Sequence, residues 1–286
     1  MQILLFGKTG QIATEIRRNP NSNNEIVALD RNQADLSKPD VCANIISDSN
    51  ADVIINAAAY TKVEQAEKEE ALANIINGES PRAMAKAAAL KNIPFMHIST
   101  DYVFNGDSKE SWKPEDAVEP LNAYGRSKLL GEQGVLASGG QCIILRTSWV
   151  FSAHGQNFVK SILSLAKKHG SIGIVNDQIG GPTAAKDIAE ACLIIAETLH
   201  TDSEVTGIYH FSGSPDVSWA DFAREIFELT EQEILVENIV TSDFPMEAKR
   251  PLNSCLNCTT LKTFFGIERP DWRASLSNVL KDLEEI

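Results

Sequence analysis

The chain has 286 residues, 43% hydrophobic and 23% charged, enough to bury a sizeable core in one large domain or two interlocked ones. A net charge of −13 without a basic stripe opposes binding to polynucleotide phosphate or to an anionic membrane surface. No run of about 18 apolar residues occurs, MQILLFG opens without a basic leader, and the five cysteines are odd in number and scattered, so a cytoplasmic chain with reduced thiols is expected.

The first predicted strand, ILLFG at 3–7, runs into Gly7-Lys8-Thr9-Gly10-Gln11-Ile12-Ala13 and a helix from about Gln11. This G-x-x-G-x-x-A turn leaves bare backbone N–H groups at a helix N-terminus, able to face a pyrophosphate. Ala13 replaces the third glycine of the commoner fingerprint and is small enough to keep helix and strand close. The second strand, EIVALD at 25–30, ends on Asp30 about 20 residues beyond Gly10, the spacing of a carboxylate on the adenosine ribose. Asp30 favours NAD, whereas Arg31 beside it suits the 2′-phosphate of NADP, so the cofactor is left open between them. Asp35, before Leu36, stands where the chain can flank adenine, or is an exposed loop aspartate. A polar helix near 39–49 and a third strand, DVIINAAA at 52–59, follow. The small Ala57, Ala58 and Ala59 allow either a cofactor close to the backbone or tight helix packing.

An alanine-rich helix over Pro81–Leu90 and a strand at 93–100, ending on Ser99 and Thr100, precede a helix through Tyr124–Leu136. Tyr124 and Lys128 are four apart and share one helix face, so phenol and ammonium can point into the same cleft. A free phenol titrates near ~10. A nearby Lys⁺ and the positive charge of an oxidised nicotinamide lower the cost of the phenolate, which suits Tyr124 to hand a proton to a carbonyl oxygen as hydride reaches carbon. Y-x-x-x-K alone is equally a surface tyrosine with a solvated lysine. With Thr100 at a strand end and a dinucleotide crevice below, the set becomes a ketone-reduction site.

QCIILRTSWVF at 141–151 completes a doubly wound parallel α/β sheet whose first strand is expected near its centre. Beyond it come a helix around 157–168, the loop NDQIGGPT at 176–183, a helix at 184–199 and the strand GIYHFSG at 207–213. Residues 1–150 and 184–213 are expected to form the dinucleotide-binding domain, and 151–183 with 214–286 a smaller α+β carboxyl lobe over the strand ends. Cys255-x-x-Cys258 has no second such pair and no histidine near it, and reads as two incidental thiols.

Taken together, GKTGQIA, NAAAYTKVEQAE, STDYVFNG, YGRSK, LRTSWVF, NDQIGGPT and KRPLNSCL resemble the dTDP-4-dehydrorhamnose reductases, extended short-chain dehydrogenases, from Met1 to about Trp272. The resemblance implies a Rossmann-type fold and reduction of the 4-keto group of dTDP-4-dehydro-L-rhamnose by NADPH or NADH, giving dTDP-L-rhamnose. It implies Thr100, Tyr124 and Lys128 as the catalytic set, Thr100 standing where many short-chain dehydrogenases carry serine. Gly7, Gly10, Gln11, Ile12, Asp30, Arg31, Asp35, Leu36, Ala57, Ala58, Ala59, Tyr60, Ser99 and Lys128 would meet the dinucleotide. Thr100, Asp101, Val103, Tyr124, Trp149 and Arg250 would meet the sugar nucleotide, Arg250 at its diphosphate. Tyr60 departs from the histidine of many relatives. The resemblance also brings in a homodimer and Mg²⁺ at a subunit contact, with Glu15 and Glu190 as candidate oxygen ligands. Two other readings share these motifs. One is a 4-ketoreductase making another deoxysugar isomer, such as a 6-deoxytalose. The other is the non-catalytic regulatory subunit of a methionine adenosyltransferase, which predicts a damaged catalytic set, whereas Thr100, Tyr124 and Lys128 are all present.

Overall fold

Short apolar runs alternate with helical patterns through the first half of the chain, and the computed structural model, which describes residues 1–19, 24–244 and 246–286, turns them into successive β–α units. In order these are β1 (Gln2–Phe6), α1 (Gln11–Arg18), β2 (Glu25–Leu29), α2 (Pro39–Asp48) and β3 (Val53–Asn56). Two short helices, α3 (Val63–Ala66) and α4 (Glu70–Asn74), then run through a π turn at Ile75–Glu79 into α5 (Ser80–Leu90). β4 (Phe95–Thr100), α6 (Ala123–Leu136) and β5 (Cys142–Thr147) complete this half. The second half supplies β6 (Val150–Phe151), α7 (Phe158–Ala166), β7 (Ser171–Val175), β8 (Ile179–Gly180), β9 (Thr183–Ala184), α8 (Ala185–Thr201) and β10 (Gly207–Phe211). It ends with β11 (Val217–Ser218), α9 (Trp219–Leu229), β12 (Leu235–Ile239), β13 (Asn253–Ser254), α10 (Thr259–Phe265) and α11 (Trp272–Asp282).

Six parallel strands form the main sheet in the order β2-β1-β3-β4-β5-β10. β1 was expected near the centre; it lies one strand in from the edge, because only the half-exposed β2 is laid outside it before the chain crosses back to β3. The strand order therefore reverses between β1 and β3, and the crevice at the carboxyl ends beside such a reversal is where ligands sit in doubly wound sheets. Alternation along each strand builds two cores. Ile3, Leu5, Ile55 and Leu145 pack against Ile16 of α1 and Ile188 and Ile195 of α8, while Leu4, Phe6, Ile54 and Ile144 face Ile46 of α2 and Met84 of α5.

A third core, with Phe151, Ile162, Phe222, Trp272 and Leu276, joins α7, α9 and α11 and lies outside the main sheet. The short sheets β11-β8-β13, β12-β7 and β6-β9 accompany it. No helix among the described residues is long and apolar enough to cross a membrane.

Candidate active site

A cleft of about 1220 Å³ follows the carboxyl ends of β1, β3, β4 and β5 and extends under α7, α9 and the 239–250 segment. Pockets for one small ligand span roughly 300–1,000 Å³, so this cleft has room for two.

Its first end is built on the glycine turn. Gly7 has φ +106°, and a Cβ there would press on the backbone of Ala57 and Ala58 at 3.0–3.2 Å, so the position needs glycine on both counts. Gly10 precedes α1 with extended backbone, and no side chain caps the helix, which leaves its first N–H groups facing the cleft. Asp30 Oδ1 accepts from the N–H groups of Asn32 (2.9 Å) and Gln33 (3.2 Å), fixing the carboxylate at the rim. Arg31 reaches out beside it, 78% exposed and 3.7 Å from Asp35, whose carboxyl the Ser37 N–H holds below the usual range. Gln11, Ile12, Leu36, Ala57, Ala58, Ala59, Tyr60 and Ser99 line the same end. Tyr60 donates to Glu69 at 2.7 Å, and burial with that bond pushes its phenol up to about 12. Bare amides, small side chains and a rim carboxylate are the donor set a dinucleotide needs.

The second end is carried by α6. Asn122 caps this helix by accepting the Gly125 N–H at 2.8 Å and donates to the Lys249 carbonyl at 2.7 Å, while the Ala123 N–H goes to Glu67 at 2.7 Å. A Cβ at Gly125 would collide with the Tyr102 carbonyl, so glycine lets α6 close on the end of β4. That approach brings Tyr124 beside Thr100 and edge-on to Tyr102 at 5.7 Å. Thr100 Oγ1 in turn donates to Asp101 at 3.0 Å.

Lys128 shares the face of Tyr124 as predicted, but its charge is not turned on the phenol: Nζ lies 2.6 Å from the Ile98 carbonyl and 3.2 Å from His97 Nε2. Burial pushes the Tyr124 phenol above its ordinary range, Asp101 adding to the rise and Thr100 opposing it. The expected lowering by lysine is therefore absent from the protein's own side chains. Burial likewise pulls Lys128 down to about 8 and lifts Asp101 to about 6.

Asp101 yields a prediction. Its folded pKa lies above the unfolded one, so its contribution to stability is present below about pH 4 and is lost as pH rises through 6. Asp101→Asn, which mimics the protonated acid, should melt close to the parent at pH 4 and higher than it at pH 7, by the order of 2–3 kcal/mol. A gap in melting temperature that does not change with pH contradicts this.

The wall opposite the sheet comes from the second half of the chain. Trp149 has φ +47°, a strained setting for a bulky residue, and is clamped by a stack on Trp219 (centroids 3.5 Å, 8°) and by the close backbone of Gly180. Arg250 pairs with Glu64 at 3.0 Å, and its Nε is buried without a partner in the protein. Asp101, Trp149 and Arg250 all line the cleft, but Val103 does not: it is fully buried against Phe104 and Leu256, because the turn after Thr100 sends Tyr102 to the cleft and Val103 inward. Sequence reasoning missed Tyr102, Trp219, Phe158, Phe244 and Met246, which also line it.

Glu15 accepts from His154 at 2.8 Å, Glu190 is exposed on α8, and among the described residues no group of three or more His, Cys, Asp or Glu is arranged to hold a metal ion. The five cysteines are free thiols, and Cys258 packs on Ser212.

The doubly wound sheet, the glycine cradle and the buried Thr100–Tyr124 contact beside Lys128 define a nicotinamide-dependent reductase of the extended short-chain dehydrogenase class. The family model for the RmlD substrate binding domain matches residues 1–285. A dTDP-4-dehydrorhamnose reductase of Aggregatibacter actinomycetemcomitans is 42% identical over 287 residues, spanning 97% of this chain and 98% of its own length. The crystal structure of a dTDP-4-dehydrorhamnose reductase from Clostridium acetobutylicum superposes with a TM-score of 0.93 at 35% identity, covering 99% of this chain and all of its own. That of a Bacillus anthracis dTDP-4-dehydrorhamnose reductase in complex with NADP gives 0.90 at 33%, covering 98% and 99%. The chain belongs to the RmlD family, that of the dTDP-4-dehydrorhamnose reductases.

Proposed function

We infer that the protein reduces the 4-keto group of dTDP-4-dehydro-L-rhamnose to give dTDP-L-rhamnose. The observation that carries this reading is the convergence of Thr100, Tyr124 and Lys128 at the strand ends, in one cleft with the glycine turn. Tyr124 is the proton donor to the carbonyl oxygen, and Thr100, beside the phenol, holds that oxygen in line. Bound NADPH or NADH supplies hydride to C4. Gly7, Gly10, Gln11 and Ile12 cradle the pyrophosphate, Asp30 and Arg31 meet the adenosine ribose, and Lys128 offers an N–H to the nicotinamide side of the cleft. Asp101, Tyr102 and the clamped Trp149 bound the sugar, and Arg250, with an unspent Nε, takes the diphosphate.

Residues 1–150 with 184–213 act as the dinucleotide domain, and 151–183 with 214–286 as the substrate lobe. The protein works in the cytoplasm as a homodimer. Mg²⁺ has no role in the proton and hydride transfers, and Glu15 serves to tie α1 to His154.

The cofactor is NADPH or NADH, and Arg31 supports NADPH through the 2′-phosphate. Arg31→Ala should raise KM for NADPH roughly tenfold, the worth of ~1.4 kcal/mol, and leave KM for NADH nearly unchanged. Equal changes for the two cofactors would remove Arg31 from the ribose site. The reading as a whole is tested by steady-state oxidation of NADPH and NADH with dTDP-4-dehydro-L-rhamnose, in which purified protein turns over. The full catalytic set disfavours a purely regulatory partner protein, and tight association with a synthetase without any turnover would reverse that preference.

A further inference from the structure

One short segment from the second half of the chain lies across the first turn of α1. Residues 152–157 join β6 to α7, and Gly155, in left-handed backbone at φ +63°, brings the segment over Gln11, whose Cγ a Cβ at Gly155 would meet at 3.5 Å. Gln11, Glu15 and Arg18, spaced i, i+4, i+7 and so on one face of α1, hold it there. Ser152 Oγ donates to Gln11 Oε1 at 2.7 Å and Asn157 Nδ2 to the same oxygen at 2.9 Å, while His154 Nε2 meets Glu15 at 2.8 Å and Arg18 at 2.9 Å. Gln11, Gly155 and Gln156 all line the cleft.

Backbone groups alone fix which atom donates. Asn157 caps α7, its Oδ1 accepting the Lys160 N–H at 3.3 Å, and a backbone N–H only donates. Its Nδ2 lies 2.7 Å from the Ser152 carbonyl, which only accepts. With the Asn157 amide set from both ends, the Gln11 atom that faces Nδ2 must be the oxygen, since a Gln11 amide turned over would oppose one NH₂ with another. The Gln11 NH₂ is thereby turned from the segment and meets no acceptor among the described residues. It stands at the start of α1, where the uncapped N–H groups face the cleft.

We propose that Asn157 is a positioning residue for the cofactor: it holds the Gln11 amide by its oxygen, so that the NH₂ donates to the dinucleotide pyrophosphate beside the first N–H groups of α1. A pyrophosphate only accepts, and a Gln11 side chain free to turn would offer it oxygen as readily as nitrogen, so fixing the amide removes a cost from binding. The proposal rests on the dinucleotide reading of the cleft and gives the second half of the chain a part in it. Asn157 also begins α7, whose Phe158 and Ile162 line the far end of the cleft, so one side chain joins the cofactor's anion to the substrate wall.

Titration of NADPH and NADH, followed by cofactor fluorescence without any sugar nucleotide, tests this apart from the reduction. Asn157→Ser keeps a capping oxygen for α7 and loses the reach to Gln11. It should raise Kd for both cofactors by the same factor, roughly threefold to tenfold, because the pyrophosphate is common to them. Ser152→Ala, which removes the other donor to Gln11, should shift both in the same direction and carries the test if Asn157→Ser does not fold. A double-mutant cycle separates positioning from a merely structural role: with Gln11→Met in place, neither Asn157→Ser nor Ser152→Ala should weaken either cofactor further. Effects that add in the cycle, a shift confined to one cofactor, or Kd values within about twofold of the parent in whichever variants fold overturn the proposal. A parent that binds neither cofactor overturns the dinucleotide reading and the proposal with it.

Discussion

Tyr124→Phe lowers kcat/KM for the dTDP-ketosugar by roughly 10²–10⁴, the usual worth of a positioned general acid. The substitution removes one hydroxyl beside Thr100 and keeps the ring that meets Tyr102 edge-on at 5.7 Å, so the fold has little reason to change. Removing a buried hydroxyl from a site that raises its pKa also relieves no charge, since the phenol is neutral in the resting protein. Cofactor affinity, followed by fluorescence titration, should stay within a few-fold of the parent, which separates a lost proton donor from a damaged cleft. Retention of more than about a tenth of the parent's kcat/KM, well outside the range for such an acid, would exclude Tyr124 from that role.

The largest loss of stability should come from Glu132→Ala. Glu132 of α6 and Arg146 of β5 form a two-pronged pair, Oε1–Nε 2.9 Å and Oε2–Nη2 2.7 Å, each side chain only 2% exposed. Arg146 also lies over the ring of Phe104 at 5.0 Å and meets the Pro114 carbonyl at 3.3 Å. His210, 3.3 Å away, cannot substitute for the carboxylate, because burial and Arg146 together press its pKa down to about 3 and it stays neutral. Deleting one partner of such a pair strands a buried charge and costs roughly 3–5 kcal/mol. For a chain of this size that is a fall of roughly 10 °C in melting temperature, measured by calorimetry. Glu132→Leu combined with Arg146→Met should recover most of it, since the desolvation of both charges disappears together. A double variant no more stable than Glu132→Ala would mean that shape, not charge, holds this junction.

Much of the first half of the fold was legible in the sequence because its strands are covered on both faces, so apolar runs mark them. The third strand nevertheless stops at Asn56 rather than Ala59, and the short helices Val63–Ala66 and Glu70–Asn74 went unread. The strand order was less so: whether β3 lands beside β2 or across β1 is decided by packing that no local pattern encodes, and β1 proved to be next to the edge. The cofactor end was readable for the same reason that it works, since glycines and a spaced aspartate are demanded by backbone geometry. Tyr124 and Lys128 were readable by spacing, but not their partners; Lys128 turns to Ile98 and His97 because a buried cation seeks the nearest carbonyl, which spacing cannot reveal. Val103 went to the core rather than the cleft through a single 3₁₀ turn at Asp101–Val103. Trp219 reached the site by stacking on a tryptophan 70 positions away in the chain, beyond any motif.

In this cleft hydride reaches C4 of a dTDP-ketosugar while a proton goes to the C4 oxygen. Purified protein incubated with dTDP-4-dehydro-L-rhamnose and NADPH should consume the two in equal amounts, and NMR of the product should show the C4 configuration of dTDP-L-rhamnose. Consumption with the opposite C4 configuration, or none with either NADPH or NADH, would contradict it.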